Sequence, residues 1–224
     1  MGTRRGALER LDEITRRLRR DCPWDREQDE RSIVPHTIEE AYELADAAQS
    51  GDDAKLVDEL GDVLFQVFFL ALLLEERGAG GLDDVAEAMT AKLIRRHPHV
   101  FGDVEAESAG EVLSNWSEIK RAERGGELFG ELPETLPATL YAKKLQTRAA
   151  RAGVGQSSVE RSLDEIERAS AGLADPGGER ERYERVGELL LAAVDAARNL
   201  GVDPELALRA AATRYRDDIE QTAG

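Results

Sequence analysis

The chain has 224 residues, enough to bury a real core in one large domain or two small ones. Charged residues make up 34% and aromatics 5%, a helical balance, and the formal net charge of −16 argues against a basic surface for nucleic acid. A small phosphate ligand stays compatible with that charge, because a metal ion and a few local cations invert the field.

The single cysteine, Cys22, excludes an internal disulfide and suits a reducing compartment. The start, Met1-Gly-Thr-Arg-Arg-Gly-Ala7, lacks the apolar core of a signal peptide. The longest apolar run, Val63 to Leu74, contains Gln66 and is too short to span a bilayer. A cytoplasmic protein with no membrane partner is expected.

Leu8, Leu11, Ile14 and Leu18 recur at spacings of three and four and predict an amphipathic first helix. It ends before Asp21-Cys22-Pro23-Trp24-Asp25, a loop in which Pro23 biases Cys22 toward an extended backbone. Two readings fit Trp24: it stacks on a base or ribose, or it plugs the end of the bundle.

Thr37 and Glu40 fit a capping box and predict a helix over 37–49. Gln49-Ser50-Gly51-Asp52-Asp53 reads as a turn, and the next helix runs from Asp53 to Arg77, stopped by Gly78-Ala-Gly-Gly81. The two should form an antiparallel hairpin, with Leu44, Leu56, Leu60, Val63, Leu64, Val67 and Phe68 pressing them into a core. Phe65, Phe68 and Phe69 surround one helix and suggest that subunits pack together.

This hairpin carries two carboxylate clusters, Glu39-Glu40-Ala41-Tyr42-Glu43 and Glu59-Leu60-Gly61-Asp62. Positions three and four apart share a helix face, so five acids meet across one seam. Carboxylates that close repel, and desolvating them is costly. A divalent cation cancels both effects. The absence of His and Cys from the clusters favours a hard ion with oxygen ligands, Mg²⁺ or Mn²⁺. The bland alternative is a pair of solvated acidic faces in a chain with 46 Asp and Glu; the apolar setting and the pairing of clusters speak against it.

A third helix runs from Asp83 to Arg96, with Pro98 just beyond, and carries Lys92, Arg95 and Arg96 at its C-terminal end. These cations complement the helix dipole or grip phosphates; Lys92 and Arg96, four apart, favour the second role. His97 and His99 fit a structural role as well as a chemical one.

Ser108 and Glu111 cap a helix over 109–124, with Trp116 and Lys120 on one face. Gly125 to Pro137 has no helical period and reads as a linker. Helices follow over 138–152, 158–172 and 179–200, and Asp203-Pro204-Glu205 starts a last one reaching about 220. No stretch alternates like a strand, so the expected class is all-α.

The second half repeats the first weakly. Asp164-Glu165-Ile-Glu-Arg168 followed by Gly187-Glu188 echoes Glu39 to Glu43 followed by Gly61-Asp62. Arg168 stands where the first half has Glu43, and Arg185 where it has Glu59. The Lys92 and Arg96 pair becomes Arg214 and Asp218. The repeat keeps the packing pattern and loses the metal ligands.

Four segments then identify a family. Cys22-Pro-Trp-Asp-Arg-Glu-Gln28, Glu39-Glu40-x-x-Glu43, Glu59-x-x-Asp62 and Lys92-Leu-Ile-Arg-Arg-His-Pro-His-Val-Phe101 resemble, in order, the motifs of MazG nucleoside triphosphate pyrophosphohydrolases. Trp116 with Ile119-Lys120 resembles a further family feature, and 137–220 resembles the family's second, repeated domain. Asp29-Glu30 departs from the family's usual Thr and basic or aromatic residue.

The resemblance implies an all-α, usually dimeric fold that hydrolyses nucleoside triphosphates to monophosphate and pyrophosphate with Mg²⁺. It implies metal ligation by Glu40, Glu43, Glu59 and Asp62, with Glu39 alongside and free to act as general base. It also implies phosphate contacts from Lys92 and Arg96; beside the resemblance, Arg95 and Lys120 are further substrate-binding candidates, and Trp24 and Trp116 are candidate walls for the nucleotide. On this reading 1–124 is the catalytic domain, 125–137 a linker and 138–224 a degenerate structural repeat.

One rival reading is a di-iron bundle, but no Glu has a His three residues on. The other is a nucleotide-binding regulatory or interaction protein of the same fold with little catalysis.

Overall fold

The computed structural model describes residues 4–223 except 124, 156, 175 and 176. Among the described residues every regular element is a helix. Contacts divide the chain into two units, Met1–Phe101 and Gly102–Gly224.

The first unit contains α1 (Arg4–Asp21), α2 (Pro23–Glu27), α3 (Glu30–Ser50), α4 (Asp53–Glu76), α5 (Leu82–Arg96) and α6 (Pro98–Phe101). Its centre is the α3/α4 hairpin. Gly51 makes the turn with φ 71°, a left-handed backbone that a side chain would strain, and Asp52 caps α4 by accepting from the Ala54 and Lys55 amides.

The start of α3 differs from the expectation at Thr37. A stronger cap lies two turns upstream: the Ser32 amide donates to Asp29 Oδ1 at 2.8 Å, and the Asp29 amide donates to Ser32 Oγ at 2.9 Å. Pro35 costs one backbone hydrogen bond inside the helix, yet α3 runs through it. Burial of Ile33 against Phe69 and Leu73 holds that first turn in place. Thr37 therefore sits mid-helix and bonds across the hairpin.

Trp24 also departs from the loop expected for it. Pro23 takes the first position of the short α2, where its missing N–H costs nothing.

The core of α4 is shifted from the sequence reading. Phe68, Phe69, Ala71, Leu72 and Leu73 are buried, whereas Val57, Leu60, Leu64 and Val67 are exposed along another face. The Phe65 and Phe69 rings meet at 5.8 Å, tilted by 55°, and Phe68 and Phe69 are buried within the unit while Phe65 is half-buried. Helix α1 closes over α4 through two arginines. Arg16 grips Glu75 with a two-pronged bond at 2.9 and 2.7 Å, and Arg19 bonds Glu76 while lying 5.9 Å from the Phe69 ring centroid.

The second unit contains α7 (Ala109–Glu123), α8 (Ala138–Arg151), α9 (Val159–Gly172), α10 (Glu179–Asn199) and α11 (Pro204–Ala223). No helix covers 125–137. Helix α10 packs against α9 and α8, burying Ala192, Val194 and Ala196. Asp203 caps α11 as its sequence signal requires, its Oδ1 accepting from the Glu205 and Leu206 amides at 3.1 Å. No helix among the described residues is long and apolar enough to cross a membrane.

Candidate metal centre

One stripe on each helix builds the site. On α3 the stripe reads Ile33, Thr37, Glu40, Leu44, Ala47; on α4 it reads Glu59, Asp62, Gln66, Phe69, Leu73. Each advances by three or four residues, so each stays on one face. Thr37 Oγ1 donates to Gln66 Oε1 at 3.3 Å and fixes the antiparallel register. One helical turn beyond that bond, the apolar seam becomes acidic.

Carboxylate oxygens of Glu40, Glu43 and Glu59 lie within 4.8 Å of one another. Glu43 is exposed, Glu40 half-buried, and Glu59 only 8% exposed. The Glu59 Oε2 atom is buried, with no hydrogen-bond partner among the described residues. A buried carboxylate oxygen normally finds a donor, and among the described residues none reaches this one.

Burial, reinforced by the charges of Asp62, Glu43, Glu59 and Glu39, holds the Glu40 carboxyl above its ordinary range. Glu59 is pushed the same way, first by burial and then by Glu43 and Asp62, with Lys55 opposing. Asp62 thus acts electrically on both, although it stands outside the tightest trio.

The donor set suits a hard divalent cation. All donors are carboxylate oxygens, and metal–oxygen bonds of roughly 2.0–2.6 Å allow two ligand atoms on one ion to stand up to roughly 4–5 Å apart. The carboxylate trio meets that limit. Among the described residues no such group forms around Asp164, Glu165 and Glu188.

Glu39 projects outward on α3, 3.7 Å from His36 Nδ1, and the His36 ring meets Trp24 edge-on at 5.9 Å. Trp24 is 52% exposed, so it does not plug the bundle end. The row Trp24, His36, Glu39 joins α2 to α3. His36 escaped the sequence reading; its spacing of three from Glu39 was the available signal. Lys55, four residues before Glu59, escaped it in the same way.

Lys92 and Arg95 are exposed and Arg96 half-buried on α5, which packs against α4. None of the three is among the charges acting most strongly on Glu40 or Glu59. His97 Nδ1 lies 2.7 Å from the Leu93 carbonyl oxygen and finishes the helix, the structural role. Trp116 and Lys120 stand on α7 in the second unit, the ammonium 4.2 Å from the indole centroid.

A two-helix hairpin with three carboxylates gathered at its seam defines an all-helical protein whose acidic group could hold a metal ion. The comparisons narrow this class. The family model for the MazG nucleotide pyrophosphohydrolase domain matches residues 28–101. A nucleoside triphosphate pyrophosphohydrolase of Escherichia coli K12 is 39% identical over 223 residues, covering 93% of this chain and 84% of that protein. The nucleoside triphosphate pyrophosphohydrolase/pyrophosphatase MazG of Thermotoga maritima is 40% identical over 213 residues, covering 93% and 82%. A crystal structure of a MazG-related protein from Thermotoga maritima is 28% identical with a TM-score of 0.44, covering 50% of this chain and 98% of that one. The chain belongs to the MazG nucleotide pyrophosphohydrolase family.

Proposed function

We propose that this protein hydrolyses a nucleoside triphosphate, ribo or deoxy, to the monophosphate and pyrophosphate. The observation that carries the reading is the carboxylate trio with its unpartnered, buried Glu59 oxygen. Glu40, Glu43, Glu59 and Asp62 hold the cation, which is Mg²⁺, with Mn²⁺ as a substitute; when bound it supplies Lewis-acid charge neutralisation and acidifies water.

The chain's own residues carry the rest. Water attacks the α-phosphorus, its proton passes to the exposed Glu39 carboxylate, and the bond from that phosphorus to the bridging oxygen breaks. Lys92, Arg95 and Arg96 balance the charge of the departing pyrophosphate. Trp24 contacts the nucleotide, and Glu40 takes part by ligation. The rate gain is then mainly electrostatic and positional.

The family's usual homodimer agrees with the exposed row Val57, Leu60, Leu64 and Val67 on α4, an apolar face left open by this chain alone. A cytoplasmic setting agrees with the lone Cys22.

The deciding assay measures pyrophosphate release from each of the common nucleoside triphosphates, with and without Mg²⁺. Metal-dependent, stoichiometric monophosphate and pyrophosphate is the expected result. Orthophosphate as the first product, or no turnover with any nucleotide, refutes the reading.

A further inference from the structure

The second unit contains a cavity of about 730 Å³ between α7 and α8. Its lining is unlike the rest of the chain. Among the described residues six cations face it, Lys120, Arg121, Lys143, Lys144, Arg148 and Arg151, against two acids, Glu118 and Asp203. The chain as a whole has a formal charge of −16. Helix α8 contributes four of the six cations and has no acidic residue in its 14 positions.

These α8 residues form one face. Leu140, Lys144, Thr147, Arg148 and Arg151 follow each other at helical spacing and all line the cavity. Like charges at such spacing repel one another. The fold engages part of the set: Lys143 Nζ meets Asp203 Oδ2 at 2.7 Å, and Arg148 Nη1 donates to the Glu131 carbonyl at 3.2 Å. Lys144 and Arg151 are exposed on the same face, with the Thr147 hydroxyl between them. Opposite stands the Trp116 ring with Lys120 above it.

We propose that this cleft binds a polyphosphate anion through the basic wall of α8, with Lys144, Thr147, Arg148 and Arg151 as its contacts. The size fits the roughly 300–1,000 Å³ of small-molecule sites. A compact anion enters the cavity, whereas a long nucleic acid would have to extend beyond it over a chain whose formal net charge is −16. The inference goes beyond the hydrolase reading: a polyphosphate is held here whatever chemistry the carboxylates perform. It also gives the second half a role that its lost metal ligands do not.

Calorimetry of the full chain in EDTA, with inorganic tripolyphosphate and separately with ATP, tests it. Wild type should bind both, with affinity falling steeply as salt rises. Lys144→Glu/Arg151→Glu should lose about tenfold or more for both ligands, and the neutral Lys144→Gln/Arg151→Gln should lose less but in the same direction. Tighter binding of ATP than of tripolyphosphate identifies a nucleotide as the ligand; equal binding identifies the bare polyphosphate chain. Wild-type affinity in both folded double variants, or no binding by wild type, overturns the proposal. Pyrophosphate release by wild type with Mg²⁺, measured on the same sample, reports separately on the hydrolase reading.

Discussion

Replacing Glu59 by Gln isolates the carboxylate seam, because it removes one charge and keeps the shape. Glu59 is 8% exposed, its Oε2 has no hydrogen-bond partner, and Glu43 and Asp62 repel it. The metal-free variant should therefore be at least as stable as wild type. With metal the order reverses. A cation at 100 times its dissociation constant stabilises the folded state by about 2.7 kcal/mol. At about 2–4 °C per kcal/mol for a chain of this size, Mn²⁺ should raise the wild-type Tm by about 5–11 °C.

Losing a partner that merely orients a ligand costs about 10–100-fold in metal affinity, so losing a ligand should cost about 100-fold or more. At the same Mn²⁺ concentration the variant's Tm should barely move. Thermal melts read by circular dichroism, with and without Mn²⁺, give all four numbers. A variant that keeps the full Mn²⁺ shift refutes the assignment of Glu59 as a ligand. A variant markedly less stable than wild type without metal refutes the claim of unrelieved repulsion.

Asp62→Asn should abolish pyrophosphate release with helix content unchanged, which activity and circular dichroism measure together. Lys92→Ala should lower kcat/KM about tenfold or more while leaving the Mn²⁺ shift intact, since Lys92 is assigned to phosphate. Glu165→Gln/Glu188→Gln should leave kcat and metal stoichiometry unchanged, the metal content being read by elemental analysis. Asp195→Asn should destabilise the protein by about 1–3 kcal/mol at neutral pH. Burial tends to raise the Asp195 pKa, but hydrogen bonds from Ser157, Ser162 and Arg198 prevail and hold it below the ordinary carboxylate range. Its stabilisation is therefore complete above the unfolded value of about 4 and fades as pH falls through the lower folded value. The gap between variant and wild type in denaturant should close in the same window.

The helices were legible because their signals are local. The Asp203-Pro204 cap, the Gly51 turn and the acidic pairs at spacings of three and four all lie within one or two turns of sequence. The seam was legible for a further reason: antiparallel pairing across a short turn leaves little freedom in which faces meet. Contacts between elements distant in sequence were not legible. The apolar residues of α4 surround the helix, so period alone could not decide that Phe69 and Leu73 face Ile33 while Leu60 and Leu64 face outward. Asp29 was hidden as a cap because Pro35 downstream reads as a break. The contact of Trp24 with His36 depends on how α2 folds back onto α3, and no spacing encodes that.

Both units bury carboxylates, and the contrast between Asp195 and Glu59 separates a structural acid from a candidate site. Asp195, 6% exposed, is fully partnered. Its Oδ2 accepts from Ser162 at 2.7 Å, from Asn199 at 3.3 Å and from Ser157, and its Oδ1 accepts from Arg198 at 2.7 Å. That network favours the ionised form and ties α9 to α10 at the charge's own location. Glu59 is as deeply buried and has the opposite surroundings: acids beside it, one oxygen without a donor, and ionisation disfavoured. In the second unit the two arginines that the sequence reading aligns with Glu43 and Glu59 have partners in the fold. Arg168 pairs at the surface with Glu165, Nη2 to Oε1 at 3.9 Å, and Arg185 donates to the Gly172 carbonyl at the end of α9 at 2.5 Å. An acid that the fold satisfies is a fastener, whereas Glu59 lies buried among other acids that oppose its charge, and a cation bound beside it would relieve that repulsion.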